Sequence, residues 1–522
     1  MNDPAIHEAT MRSIVPRSTQ GHVRCICAAL VVLAIAAPAL AQRKLGTIGP
    51  PPRQDPQRQT AAEGFPPLPL PAVPLRRSEP KAEPSPPLFV ARLAYGDAQD
   101  YMPNPGDLKN LLRHVRTQLD AWYGHTILKL DELVAAHQQG KRVDIPMLYI
   151  TGYESFELTE AQRAALRDYV LDGGTLLGDA ALGSVSFADS FKQEVAAMFP
   201  RRKLDQLQVD HPIFRGYYPY QNVGYFTIDD GVRSKSTAPP QMLGLNVAAR
   251  TAVILSPYDM TCGWDEFYAP PAPRRSDARP QTTAAMMPAD AIRMGINLVA
   301  YVSAERSFAR HQATTHTIEA TQPRQRQAVR IALLKHHGDW NADPNSLYQL
   351  IRLASLRTSV PVAYELEAVG AELEQIAETP ILIMTGMNEP RLSDDEVVAL
   401  RRHLAAGGFL FINNTSGFAR FDREARALIG RLMPDRKLEA LPADHDVFSA
   451  LYEVKQVRHH TTGQAREPEL YAVNVEDRAA ILYAPNDTLG MLKGVHDPYA
   501  NAYDAPSARK LALNILCYAL KH

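Results

Sequence analysis

The stretch VDHPIF at residues 209–214 returns as ADHDVF at residues 443–448, and the offset of 234 positions between them holds elsewhere in the chain. Thr151-Gly152, Gly173-Gly174 and Asp210-His211 stand in register with Thr385-Gly386, Gly407-Gly408 and Asp444-His445. The surroundings agree: YVLDGGTLLGDA faces HLAAGGFLFINN, and FPRRKLDQLQVDHPIF faces MPDRKLEALPADHDVF. Upstream, AYGDAQDYMPNPGDLKNLLRHV resembles KHHGDWNADPNSLYQLIRLA, with a few extra residues in the first copy; downstream, LNVAARTAVILSPYD resembles VNVEDRAAILYAPND. The repeated unit is about 200 residues long, far beyond the 20 to 50 of a solenoid repeat, so a whole domain is duplicated. Any fold assigned to one half has to suit the other. At 522 residues, 45% of them hydrophobic, the chain can fill two such cores.

The first copy is placed at residues 88–308 and the second at 328–522, joined by the polar stretch ARHQATTHTIEATQPRQRQ at 309–327. Within each, short apolar runs alternate with longer segments of helical period, the pattern of an α/β domain on a mostly parallel sheet. In the first copy LFVARLAY reads as a strand, residues 106–122 as a helix, and TILKL and IPMLYIT as the next two strands. A helix follows at 159–171, its start marked by the capping-box pair Thr159 and Gln162. GGTLLGD is the fourth strand, and its glycine pair supplies the left-handed turn out of the helix. The second copy repeats this with a strand at 380–385, a helix at 393–405 and the strand GGFLFIN. Two tandem, doubly wound, flavodoxin-like domains are expected.

Arg12, Arg17 and Arg24 precede the apolar run CAALVVLAIAAPAL, after which Ala39-Leu40-Ala41 leads into Gln42, Arg43 and Lys44. That order is the pattern of a secretory signal peptide at 1–41, and the run is shorter than the roughly 17 to 25 residues a spanning helix needs. The mature chain is expected to be exported, periplasmic or secreted, with no transmembrane segment after cleavage. Residues 42–87 are rich in proline, which removes amide donors and fixes φ, so a disordered, extended linker is expected there. Of the four cysteines, Cys262 and Cys517 remain in the mature chain; export permits a bridge, but two cysteines make no disulfide framework. With 56 Lys and Arg against 57 Asp and Glu, no global field draws the chain to nucleic acid or anionic lipid.

Doubly wound sheets bind ligands beyond the carboxyl ends of their strands. In the first copy those ends carry Gly96, Asp97 and Tyr101, then Gly152 and Tyr153, then Asp179; in the second they carry Gly338, Asp339 and Trp340, then Gly386 and Met387, then Asn413 and Asn414. The loop SPYDMTCGWDEFY at 256–268 offers Asp259, Trp264, Asp265 and Glu266, either as the rim of a sugar-binding pocket or as a segment with Trp264 packed beneath it. Its counterpart APNDTLGMLKG keeps the acidic position, as Asp487, and lacks the tryptophan.

These residues carry a family resemblance. In GD-x-x-x-Y-x-PNP and GDW-x-x-DP, the TG after an apolar strand, the GG-x-L strand, DHPIF and SPYDMTCGW, the chain resembles the bacterial family called domain of unknown function 4159, over both copies. That family is similar to the class I glutamine amidotransferase-like fold, and DHPIF also resembles a segment of trehalose-utilisation-like proteins in that group. Some relatives are attached to membrane segments near von Willebrand-type adhesion modules. The resemblance therefore implies work in the cell envelope and association with membrane-anchored envelope proteins. Amidotransferases of that fold carry a nucleophilic cysteine in the sharp turn after the strand equivalent to GGTLLGD. Here the turns read DAALGS at 179–184 and NNTSG at 413–417, with no cysteine, so no Cys-His-Glu triad can be built. Ser184, Thr415 and Ser416 are hydroxyls nearby, none in a G-x-S-x-G elbow.

His211 and His445, each behind an aspartate, and Asp179 are the acid/base candidates, since histidine titrates near neutrality and an acid can fix its tautomer. Adjacent side chains point apart, so a structural reading is preferred: Asp caps a turn, Pro212 fixes it, and Phe214 or Phe448 anchors it. His336-His337, His459-His460 and His496-Asp497 lack metal-ligand spacing, and neither a metal nor another cofactor is expected. The preferred function is a non-catalytic pair of domains binding an envelope ligand or protein. The alternatives are a hydrolase of an envelope saccharide or amide working through Asp and His groups at the strand ends, and a rigid spacer.

Overall fold

A computed structural model describes residues 85–229, 232–266, 282–313, 329–359, 362–364 and 369–521. The signal peptide expected at 1–41, nearly all of the linker expected at 42–87 and most of the joining stretch at 309–327 lie outside these residues.

The strands of the first copy are β1 (Leu88–Ala94), β2 (Gly124–Lys129), β3 (Met147–Gly152), β4 (Thr175–Ala180), β5 (Asp205–Gln206), β6 (Val223–Asp229), β7 (Val232–Ala238), β8 (Leu243–Val247), β9 (Arg250–Ser256) and β10 (Thr282–Met286). Those of the second are β11 (Val329–Leu333), β12 (Val362–Tyr364), β13 (Ile381–Gly386), β14 (Phe409–Asn414), β15 (Glu439–Ala440), β16 (Val457–Arg458), β17 (Ala465–Arg466), β18 (Tyr471–Val475) and β19 (Arg478–Ala484). The main sheets have one topology, β2-β1-β3-β4-β9-β8-β5 and β12-β11-β13-β14-β19-β18-β15. In each the first five strands run parallel, the sixth pairs antiparallel with the fifth, and the seventh pairs antiparallel with the sixth. Register repeats as well: Thr151 pairs with Asp179 and Gly152 with Ala180, as Thr385 pairs with Asn413 and Gly386 with Asn414.

Every residue of β3, β4, β13 and β14 is buried, as parallel strands covered on both faces must be. Alternation sorts their side chains into two cores. Met147, Tyr149 and Leu177 join the helices Asp107–Leu119 and Pro288–Ala313 on one face. Leu148, Ile150 and Leu176 meet the helices Leu130–Gln138, Glu160–Leu171 and Val185–Met198 on the other. The second copy does the same, with Ile383 and Phe411 on one side and Met384 and Ile412 on the other. The expected capping box of Thr159 with Gln162 forms, Ser393 with Glu396 makes the same box in the second copy, and Gly173 and Gly407 leave their helices at φ +100 and +105.

Two boundaries move. The helix expected at 106–122 is Asp107–Leu119, because Asp120 turns left-handed at φ 50 and delivers the chain to the edge strand β2. The last helix of the first copy runs on to Ala313, past the expected end at 308. The first copy also adds a small sheet, β10-β6-β7, where the second has the pair β16-β17.

The copies pack against each other. Phe308 and Ala249 of the first join Ala342 and Met387 of the second in one apolar cluster, Tyr301 stacks on Tyr499 at 5.9 Å, and Lys493 Nζ lies 5.3 Å from the Phe308 ring centre. The strand ends of the second copy therefore face the first copy, not open solvent. No helix among the described residues is long and apolar enough to cross a membrane.

Candidate functional site

Beyond β4 and β14 the chain makes a sharp strand-to-helix turn, the kind of turn in which α/β-hydrolases expose a nucleophile. Leu182 and Ser416 stand at the same left-handed position, φ 55 and φ 57, followed by Gly183 and Gly417 at φ 72 and φ 67. Such backbone costs about 1 to 3 kcal/mol and persists only where its surroundings hold it. A buried carboxylate from the loop after β9 or β19 does so: Leu182 N–H donates to Asp259 at 2.7 Å and Ser416 N–H to Asp487 at 2.9 Å. The segment leading into the last helix of each copy then crosses above the turn. A Cβ added to Gly183 would lie 2.5 Å from the Ala284 carbonyl oxygen, and one on Gly417 2.3 Å from that of Asn501. Thus backbone roofs both turns. Ser416 is 4% exposed, and no histidine hydrogen-bonds its Oγ among the described residues. Ser184 caps the helix Val185–Met198 and gives its hydroxyl to the Tyr153 carbonyl.

Asp179 and Asn413 are equivalent, and the pair is informative. Asn413 Oδ1 accepts Thr488 N–H at 2.9 Å while its Nδ2 donates to Asp487 at 2.9 Å. Asp179 Oδ1 accepts Met260 N–H at 3.1 Å, and its Oδ2 is buried with no hydrogen-bond partner among the described residues. Burial first, and the nearby Asp259 second, push the Asp179 carboxyl well above the usual range. Its carboxyl stands where the other copy has an amide, and through Met260 N–H it fastens the loop after β9.

The histidines are structural. His211 Nδ1 accepts Ile213 N–H at 3.3 Å, so Nε2 carries the proton and gives it to Thr251 Oγ1 at 2.8 Å. Burial lowers its pKa to about 3, leaving no charge change near neutrality. His445 Nδ1 accepts Val447 N–H in the same way, at 3.2 Å. The turn is capped by the histidine, not by the aspartate as expected; Asp210 and Asp444 are exposed, while Phe214 and Phe448 are buried as anchors.

The loop at 256–268 does not rim a pocket with its tryptophan. Trp264 is 0% exposed, donates Nε1–H to the Ala291 carbonyl at 2.8 Å and lies against Tyr149. Asp265 approaches Asn110, and Glu266 pairs with Arg113 and His114, so this end of the loop is fastened to the helix Asp107–Leu119. Cys262 and Cys517 are free, and Cys262 gives its thiol to Asp259.

Of the other strand-end positions, several are filled by the protein itself. The Tyr95 hydroxyl occupies the space where Gly152 would carry a side chain, and Phe421 does so at Gly386. Asn414 caps the helix Ala419–Leu432 through both N–H and C=O of Phe418, at 3.0 Å each. Asp97 and Tyr101 line a cavity of about 590 Å³ at the ends of β1 and β3, together with Asp100, Asp131, Glu154, Glu157 and Lys129. Asp179, Asp259 and Trp264 are not on its wall.

The second cavity, about 540 Å³, lies at the ends of β11 and β13 and is completed by the first copy. Asp339 and Trp340 line it, as expected for strand-end residues. Asp339 holds the loop after β13, accepting Met387 N–H at 2.9 Å and Asn388 N–H at 3.3 Å. Arg391 and Arg420 add cations from the second copy; Arg201, Arg202 and Lys203 add three more from the first. These five are absent from the sequence-based candidates. The three from the first copy are the RRK of FPRRKLDQ, which faces DRK in the repeat and reaches this cavity because the copies dock. Among the described residues no three His, Cys, Asp or Glu side chains converge as a metal shell.

No curated protein matches the chain. The family model described as Domain of unknown function (DUF4159) matches residues 89–302 and again residues 330–520, and the chain belongs to that family as two tandem copies.

Proposed function

We propose that the protein is an exported, non-catalytic binding protein of the cell envelope whose ligand sits in the cavity between the copies. One observation carries this reading: both elbow turns are roofed by backbone, whereas the ends of β11 and β13 open into a space of about 540 Å³ walled by both copies. That volume is in the range of small-molecule sites. Amidotransferase-like ancestry would account for the retained elbow and the missing cysteine. The hydrolase reading is not favoured, because both ring nitrogens of His211 are engaged and Asp179 is buried without access.

The test is thermal unfolding against panels of sugars, muropeptides, nucleotides and organic acids, repeated with Asn388→Trp, which fills the cavity from its wall. A ligand at a hundredfold excess over Kd stabilises by about 2.7 kcal/mol. A shift present in the native sequence and absent in Asn388→Trp supports the reading; the same shift in both excludes this cavity as the seat. Export is tested by sequencing the N-terminus of the secreted product, expected to begin at Gln42.

A further inference from the structure

We propose that the cavity between the copies takes a small polyanion, a molecule bearing two or more phosphate or carboxylate groups; this rests on the cavity being the ligand seat. Five cations and three acids line it, and the acids are largely committed to the protein. Asp205 lies 3.7 Å from Arg420, and the Asp339 carboxylate accepts two backbone amides. Glu389 remains.

The cations are arranged differently. Arg202 donates to the Asn246 carbonyl at 2.5 Å and Arg391 to the His337 carbonyl at 2.7 Å. A carbonyl fixes a guanidinium without neutralising it, so both forks are held in place, and Asp339 is the carboxylate whose charge Arg202 feels. Arg201 and Lys203 make no ion pair among the described residues. Four cations against Asp339 and Glu389 leave the cavity wall with a net positive charge, which attracts an anion. Guanidinium forks match phosphate and carboxylate bidentately, and several cations contributed by two domains suit a ligand with more than one such group.

The repeat supplies an internal control. The corresponding cavity of the first copy is walled by Asp97, Asp100, Asp131, Glu154 and Glu157 against Lys129, so an anion is repelled there. The position of Arg201 is occupied by Asp435 in the second copy, and that segment does not line the cavity of the first copy.

The experiment is calorimetric titration of the purified protein with inorganic pyrophosphate, citrate, glucose and spermidine, backed by tryptophan fluorescence, since Trp340 lines the cavity. Pyrophosphate or citrate is expected to bind saturably, and which of them binds separates phosphate from carboxylate recognition. Affinity should fall about tenfold or more in the double variant Arg201→Ala with Lys203→Ala, and should remain unchanged in Asp131→Ala. It should also weaken as salt rises to 0.15 M, where the screening length is about 8 Å. Failure of both anions to bind, or equal binding by the double variant, overturns the proposal. If glucose or spermidine binds, and Asn388→Trp abolishes that binding while the double variant does not, the anion assignment falls and the cavity reading stands. Binding that survives every cavity variant removes both.

Discussion

At the scale of single residues, the comparison of Asp179 with Asn413 yields a signed prediction. Asp179 is fully buried and its carboxyl is raised by burial and by Asp259. The native state therefore holds a proton that the unfolded chain releases above the ordinary carboxyl range. Stability is full below that range and falls as pH rises toward the raised value, by about 1.4 kcal/mol per pH unit for one group. Asp179→Asn keeps the acceptor for Met260 N–H, supplies the amide that copy two already uses, and does not titrate. The variant should match the native protein in acid and exceed it in stability increasingly toward pH 8, measured by urea unfolding at several pH values. A variant less stable at every pH would show that the carboxyl has another task. His211 behaves oppositely: its lowered pKa, about 3, means that folding requires the neutral ring, so its contribution is lost as pH falls below about 6.5.

At the scale of elements, the elbow turns are held by two glycines that cannot be replaced cheaply. Gly183 combines φ +72 with a would-be Cβ 2.5 Å from a backbone oxygen, whereas Gly140 has φ +63 and open space. Gly140→Ala should cost about 1 kcal/mol, for the backbone alone. Gly183→Ala should cost several times as much, because the strand β10 must shift, and thermal unfolding of the two variants compares them directly. Much of this element structure was legible. The capping boxes at Thr159 and Ser393 and the glycine pairs at 173 and 407 are local chemistry, and local chemistry is written in consecutive residues. The turn between β8 and β9 was not legible, because it places Ala248 at φ 51 without the glycine or asparagine that usually announces such a hairpin; Glu476, at φ 55, does the same in copy two. Trp264 looked available in a linear reading because its loop is rich in polar residues. The short helix Thr261–Trp264 turns it inward under Ala291. The basic wall of the cavity was invisible for a different reason. Arg201 and Arg391 come from different copies, and no pattern within either copy specifies how the copies dock.

At the scale of the whole molecule, that docking should be sensitive to pH through Glu305 and Asp497. Glu305 lies on the helix Pro288–Ala313 of the first copy, Asp497 on a loop of the second; both are buried and their side chains share a hydrogen bond. Burial raises both carboxyls, the Asp497 charge raises Glu305 further, and the bond from Glu305 offsets part of the rise at Asp497. Docking therefore favours the protonated form of the pair. Around the pair stand Arg250, which moderates Glu305, together with Tyr301, Tyr499 and Ser416, while His460 moderates Asp497. Lys493 is occupied by Asp343 at 2.5 Å and is not available to neutralise a second charge. Undocking exposes Glu305 to water, where its proton leaves at the ordinary value, so docking is strongest in acid and weakens as pH rises through the raised value. Glu305→Gln retains a donor toward Asp497 and cannot ionise. Small-angle scattering across pH 5 to 9 should show the native protein expanding toward alkaline pH and the Gln variant expanding less, because only Asp497 then titrates. Glu305→Ala, which leaves Asp497 buried without its donor, should weaken docking at every pH by about 1 to 3 kcal/mol. Because the cavity is walled by both copies, ligand affinity should follow the same pH curve in the native protein and flatten in Glu305→Gln. A native profile that does not expand would place the proton-linked energy within one copy and detach it from the docking of the two.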